Sequence, residues 1–378
     1  MSQRERFRIR GGNYVTNHSY EKAVDEYNSL LEQFPGDNAG HANVAIAYLY
    51  LRNLPRAVEE ARKAIQIYPR NVGQRANVAL FLLYTGKFEE AAREADEVIK
   101  LNPAFEQAYL VKALAALAGE KPDQAAAYYE QAAKSSARGA SYRLKGLGDI
   151  ALFEGRTSDA LALLQAGIKA DLAAGEQQLF AEKQVELAYT LLLLGQRGQA
   201  IAAAEQARKA TKNPETQFLA ARVLVDAGQE VKAREVAQQL SSKLGKEPQA
   251  YGKLIEGEIA LKKGSIPEAV RLIGESQKLV DTWISRFDLG RAYLAVEAFP
   301  EADSEFDACI RRRGEVTSLQ LEADPTYGYF PPVYYYAGRA QQGIGSPDAA
   351  ESFKKFLALR AKATQDPLVA DAKKRAGL

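Results

Sequence analysis

The chain has 378 residues, 47% hydrophobic and 26% charged, enough for a globular protein with extensive burial. Its 50 basic and 48 acidic residues leave a formal charge of +2, which excludes a whole-molecule field for nucleic acid or an anionic membrane. The single cysteine, Cys309, excludes an internal disulfide framework.

The start, "MSQRERFRIR", is charged and lacks the apolar core of a signal peptide. The longest purely aliphatic run, Leu191 to Leu194, is too short to span a bilayer. A soluble chain with no membrane insertion is expected, cytoplasmic, or periplasmic if a membrane segment precedes it in a longer protein. Met1 is the only methionine, which at this length points to an internal segment given an added start.

The first elements repeat. "SYEKAVDEYNSLLEQFP", "LPRAVEEARKAIQIYP" and "KFEEAAREADEVIKLNP" align on Ala23, Ala57 and Ala91, and Ala125 continues the series at the same interval of 34 residues. Pro35, Pro69 and Pro103 follow in step. In Ala- and Leu-rich sequence this period predicts pairs of antiparallel helices. The alanine marks the close approach of second helix to first, and the proline ends the second helix. Such a pair cannot bury its apolar face alone, so the pairs must stack.

The pattern resembles the tetratricopeptide repeat. The first unit supplies Phe7, Gly11, Tyr14, Ala23, Tyr27 and Pro35, with Arg10 where a leucine is expected; the ninth supplies Leu289, Gly290, Tyr293, Ala302 and Phe306. The resemblance implies an all-α fold, a right-handed α-solenoid of about ten helix-turn-helix repeats. Extending the phase through Ala160, Ala200, Ala233, Ala269, Ala302 and Ala350 places unit starts near residues 4, 38, 72, 106, 141, 181, 214, 250, 283 and 331. Extra length falls near 171–180 and 311–330, and residues 365–378 read as a capping segment. Units six to eight are degenerate, with Gln184, Gln217 and Lys253 at the first bulky position.

No catalytic set emerges. His18 falls in a turn, His41 takes a position held elsewhere by Phe7, Tyr109 or Tyr334, and Cys309 falls at a small-residue packing position. No Cys/His cluster has zinc spacing, and no P-loop, dinucleotide or kinase signature occurs. A non-catalytic chain without cofactor or metal is the expectation. The basic run Arg311-Arg312-Arg313 reads as a solvated helix end.

First helices of such a solenoid line a concave groove that receives a protein or extended peptide. The ninth position of each unit runs Gly12, Ile46, Leu80, Leu114, Asp149, Tyr189, Arg222, Glu258, Arg291 and Arg339, apolar and then charged. Tyr50 and Tyr84 continue the apolar half, beside Leu49, Leu83 and Leu117, which read equally as core. Asn43 and Asn77, one period apart, could hold a peptide backbone by their amides, or serve their own turns. Arg222, Arg291 and Arg339 could take acidic segments, although Glu258 and Asp288 are available as internal partners. Ala42, Gly73 and Ala76 stand where a carboxylate clamp would need basic residues.

The stretch "YGYFPPVYYYAGRAQ" (327–341) divides by phase. Pro331 and Pro332 open a helix, Tyr334 and Gly338 are structural, and Tyr335 and Tyr336 are groove candidates beside Arg339. Tyr327, Tyr329 and Phe330 belong to the insertion, pinning it to the preceding unit or capping the groove. Two stretches, "RGGNYVTNHSYEKAVDEYNSLLEQFPGD" and "DPTYGYFPPVYYYAGRAQQGIGSPDAAESFKKFLALRAKA", resemble the repeat region attached to bacterial serine/threonine protein kinases. That likeness implies a docking or sensory region of a signalling kinase. A free-standing scaffold for secretion or envelope assembly, and the ligand-sensing part of a transcription regulator, are the alternatives.

Overall fold

The computed structural model describes residues 1–319 and 327–378, so part of the expected insertion, 320–326, lies outside the described residues. The described residues form helices and turns, with no strand. The first four pairs are α1 (Gln3–Thr16) with α2 (Tyr20–Gln33), α3 (Asn38–Tyr50) with α4 (Leu54–Ile67), α5 (Val72–Tyr84) with α6 (Phe88–Leu101), and α7 (Glu106–Ala118) with α8 (Pro122–Ser135). Then come α9 (Ala137–Glu154) with α10 (Thr157–Ala174), α11 (Gln177–Leu193) with α12 (Arg197–Ala210), and α13 (Pro214–Asp226) with α14 (Glu230–Ser241). The next two pairs are α15 (Lys246–Lys262) with α16 (Ile266–Leu279) and α17 (Trp283–Ala295) with α18 (Phe299–Arg311). Two 3₁₀ turns, η1 (Arg313–Leu319) and η2 (Tyr327–Tyr329), precede α19 (Pro332–Gly343) and α20 (Ala349–Leu359), and α21 (Pro367–Ala376) closes the chain.

Each helix packs on the next, and the odd-numbered helices of successive pairs also touch, which makes them the inner layer of an α-solenoid. The local chemistry repeats with the period. Ala23, Ala57, Ala91 and Ala125 are fully buried, as are Ala160, Ala200, Ala233, Ala269 and Ala302. Ala350 departs from this series and is exposed. Its neighbour Ala349 is half-buried instead, and Phe353 meets Gly338 as Phe306 meets Gly290, so the last pair is shifted by one residue. Left-handed backbone turns the chain between helices at His18, Arg52, Gly86 and Glu120, again 34 residues apart. The second helices end at Phe34, Tyr68 and Asn102, with φ near −132°, −133° and −149°, because each precedes a proline that disfavours helix.

A further recurrence joins residues of unlike chemistry. His41 Nε2 lies 3.0 Å from the Pro35 carbonyl, and Tyr109 donates to the Pro103 carbonyl at 3.1 Å. Gln217 and Gln249 donate to the carbonyls of Thr211 and Lys243, each at 2.7 Å. In every case the acceptor is six residues back, in the turn that ends the preceding helix. Gln217, read from sequence as a degenerate core position, therefore does the work of His41 and Tyr109.

Three first helices are longer than the phase suggests. Starts expected near 141, 181 and 250 meet helices beginning at Ala137, Gln177 and Lys246, an additional turn each. The extra residues near 171–180 thus lengthen α10 and α11 and leave only a short turn at Gly175.

A β-carbon on Gly290 would lie 2.7 Å from the ring of fully buried Phe306, which is itself wedged against Phe287 and Tyr336. Gly290→Ala is therefore expected to cost about 1–3 kcal/mol despite alanine's better helix propensity, read from urea unfolding midpoints.

Candidate functional site

The inner face is not an open groove, because the two 3₁₀ turns between α18 and α19, η1 and η2, lie on it. The η1 turn packs on α5, α7 and α17, and the η2 turn on α9. Gly314 comes so close to α5 that a β-carbon there would lie 2.2 Å from the Leu83 carbonyl oxygen. Arg313 sits over the Phe88 ring, 5.5 Å from its centre. Gly328 N–H donates to Asp149 Oδ1 at 3.2 Å, and its carbonyl faces Arg360 Nη2 at 3.4 Å. Tyr329 stacks on Tyr189, centroids 4.7 Å apart, with Arg222 5.7 Å from its ring centre. Phe330 is fully buried and packs against Trp283. The strap formed by η1 and η2 thus joins the third, fourth, fifth and ninth pairs.

The carboxy-terminal end reinforces this closure. Tyr334 donates to Glu120 at 2.7 Å, and Lys362 pairs with Glu154 at 2.7 Å. Farther along, Arg52 pairs with Glu247 and Lys246 with Glu21, which ties the first two pairs to the eighth.

This closure decides the fate of the groove candidates. Leu80 and Tyr84 are buried, Ile46 is half-buried, and Leu49, Leu83 and Leu117 are core. Tyr50 stacks on Tyr20 with ring centres 4.6 Å apart. Asn43 is half-buried and hydrogen-bonded to the Tyr27 hydroxyl, so its amide serves the first pair; Asn77 is half-buried. Arg222 grips Asp288 with both terminal nitrogens, at 2.5 and 3.0 Å. Arg291 bonds Glu258 at 2.9 Å and Asp288 at 3.2 Å. Tyr335 donates to Asp371 of α21 at 2.7 Å, and Tyr336 packs between Phe287 and Phe306. Arg339 is half-buried, 6.0 Å from the Tyr335 ring centre. Leu80, Tyr84, Arg222, Arg291 and Tyr335 are each buried or partnered within the chain.

The other singled-out residues are structural too. His41 engages Glu60 through Nδ1 at 2.6 Å and the Pro35 carbonyl through Nε2, while His18 is exposed in its turn. Burial pushes the Cys309 thiol well above its usual range, which leaves it a poor nucleophile. Arg312, read as part of a solvated basic end, is half-buried and bonds both Asp281 and Glu315. Among the described residues no group of His, Cys, Asp and Glu is arranged to hold a metal, and no helix is long and apolar enough to cross a membrane.

Sequence reasoning missed the buried charges of the middle pairs. Lys183 lies 2.6 Å from Asp171 and 2.7 Å from Ser141, and Lys145 lies 2.6 Å from Glu182. Lys145, Lys183 and Glu182 lie within the first helices α9 and α11 and Asp171 near the end of the second helix α10, where a charged residue read from sequence alone is taken as solvated. The one available signal was the longer repeat around Asp171.

The family comparison agrees with this geometry over the first pairs. Residues 11–72 and 79–143 match the family described as Tetratricopeptide repeat. Two solved structures are similar to the whole or to part of the chain. One is titled the crystal structure of the APC/C hetero-tetramer Cut9-Hcn1; it is 12% identical, with 100% of this chain and 96% of that chain covered and a TM-score of 0.37. The other is pilF of Pseudomonas aeruginosa, 20% identical, with 63% of this chain and 90% of that chain covered and a TM-score of 0.33. No curated protein matches the sequence.

Two measurements probe this inner face. Asp288→Ala strands the buried Arg222 and is expected to cost about 3–5 kcal/mol in chemical unfolding. The Asp149 carboxyl is pushed up to about 7, first by burial, against the Gly328 hydrogen bond and Lys145. A carboxyl raised on folding loses stability as pH climbs from its unfolded value through its folded one. Asp149→Asn should therefore gain on the wild type in Tm between about pH 4 and pH 7, and less below pH 4.

Proposed function

We propose that this chain is a protein-binding scaffold whose inner face recognises an extended segment presenting glycine between aromatic residues, and that its own strap is the resident occupant. The observation behind this reading is the seating of Tyr-Gly-Tyr-Phe (327–330): backbone groups of Gly328 meet Asp149 and Arg360, while Tyr329 lies between Tyr189 and Arg222. Solenoids of helix pairs offer long concave surfaces for such segments. A partner with the same pattern would compete for the same contacts, and Asn43 and Asn77 of α3 and α5 would extend its seat along the first pairs.

The finer reading is a docking or sensory region of a bacterial signalling kinase. It rests on the likeness of the two terminal stretches to kinase-attached repeats, and predicts a kinase domain in frame upstream of Met1 in the gene.

Competition is measured directly with a labelled peptide of sequence TYGYFPPV. Tyr329→Ala, which weakens the resident occupant, is expected to raise peptide affinity at least fivefold, about 1 kcal/mol. The same peptide should bind more weakly when Tyr189→Ala is added. Asn43→Ala with Asn77→Ala should weaken capture of a partner, whereas Tyr27→Phe, which loses only the internal bond of Asn43, should leave it unchanged. No gain on weakening the strap would refute the reading.

A further inference from the structure

Where the first two pairs meet the seventh and eighth lies a cavity of about 1220 Å³, away from the strap's η2 seat. Both rings of the Tyr20–Tyr50 stack line it, 7° from parallel. Most charged groups on its walls are tied to one another: Lys246 to Glu21, Arg52 to Glu247, and Arg312 to Asp281 and Glu315. Glu215, the second residue of α13, is different. Its N–H donates to Asn213 Oδ1 at 2.9 Å, but its carboxylate, which lines the cavity, makes no ion pair among the described residues.

We propose that this cavity binds a ligand bearing a primary ammonium or guanidinium group, with Glu215 as counter-charge and the Tyr20–Tyr50 pair as aromatic wall. A half-buried carboxylate that is hydrogen-bonded only by its own backbone and has no ion-pair partner among the described residues is a group that a cation satisfies well, and tyrosine rings attract the same charge through their faces. An anion would instead meet Glu215 and Glu247 together. The volume exceeds what one side chain fills and suits a flexible cation of several bonds. A free polyamine and an arginine side chain of a partner share this chemistry.

Burial, then the neighbouring Glu247, pushes Glu215 up to about 7, so a proton occupies the carboxylate in competition with the ligand. The charged and titratable groups around it come from every wall: His18, Tyr20 and Glu21 from the first pair, Tyr50 and Arg52 from the second. Lys243, Lys246 and Glu247 come from the start of the eighth, and Asp281, Arg312 and Glu315 from the far side. Ionisation of Glu215 between pH 6 and pH 8 should raise cation affinity about tenfold. Histidine as a residue type titrates near neutrality, so the same pH series is run on His18→Asn, which should keep the dependence.

The full chain is titrated calorimetrically with spermidine, and separately with acetyl-Gly-Arg-Gly-amide, using acetyl-Gly-Gln-Gly-amide as neutral control. At least one cationic probe should bind, the neutral one should not, and Glu215→Gln should weaken binding tenfold or more and abolish the pH dependence. Spermidine binding alone assigns a free polyamine, and tripeptide binding alone assigns a partner's side chain. Tyr20→Leu, a second variant that leaves every charge in place, should weaken the same probe about threefold. The proposal is overturned if neither cation binds up to about 1 mM, or if folded Glu215→Gln binds like the wild type. Should Glu215→Gln not fold, unaltered binding by Tyr20→Leu overturns it instead. Tyr329→Ala should leave this titration unchanged, which separates this site from the inner-face reading.

Discussion

A pair of antiparallel helices leaves apolar surface on two sides, and no pair is complete until a neighbour covers it. Here that requirement is met along the row by the buried alanines of the second helices, from Ala23 to Ala302, which let each pair close before it stacks. Across the row it is met by the chain itself. Gly314 lies against the end of α5, Gly328 against α9 and Phe330 against Trp283, so the inner layer of helices is covered by a segment from beyond the ninth pair.

Covering the inner face changes its electrostatics. Charges that water would have solvated in an open superhelix must find partners inside, since a lone buried ion is costly and a paired one is tolerable. Arg222 with Asp288, Arg291 with Glu258, and Lys183 with Asp171 meet that condition. The same reasoning makes Asp149 and Glu215 conspicuous. Asp149 has one oxygen on the Gly328 N–H and the other without a hydrogen-bond partner, and Glu215 faces a cavity. Both carboxyls are pushed upward because their surroundings favour the neutral form.

The two proposals together describe a molecule with two distinct recognition chemistries. On the first, the inner face would read backbone and aromatic rings, the chemistry of the strap that lies on it. On the second, the cavity at the joint between distant pairs would set aromatic surface beside the Glu215 carboxylate. Because Arg52–Glu247 and Lys246–Glu21 span that joint, a ligand there would act on the contact between the first and the eighth pairs.

Sequence by itself determined the helical pairs and their stacking, because close packing, left-handed turns and proline stops act within one period and leave a mark every 34 residues through the first four pairs. It also showed His41 and Cys309 to be better suited to packing than to chemistry. Tertiary structure alone decided what covers the inner face. Tyr335 and Arg222 occupy positions that an open groove would expose, and only the path of the strap and of α21 buries them. Lys183 and Glu215 share this property: one is buried with an ion-pair partner and the other has none among the described residues, a difference set by residues twelve to more than thirty positions away. A repeat reports the forces between near neighbours. The contact that joins Glu120 to Tyr334 or Arg52 to Glu247 has no period, and it exists only when the row of pairs has turned back on itself.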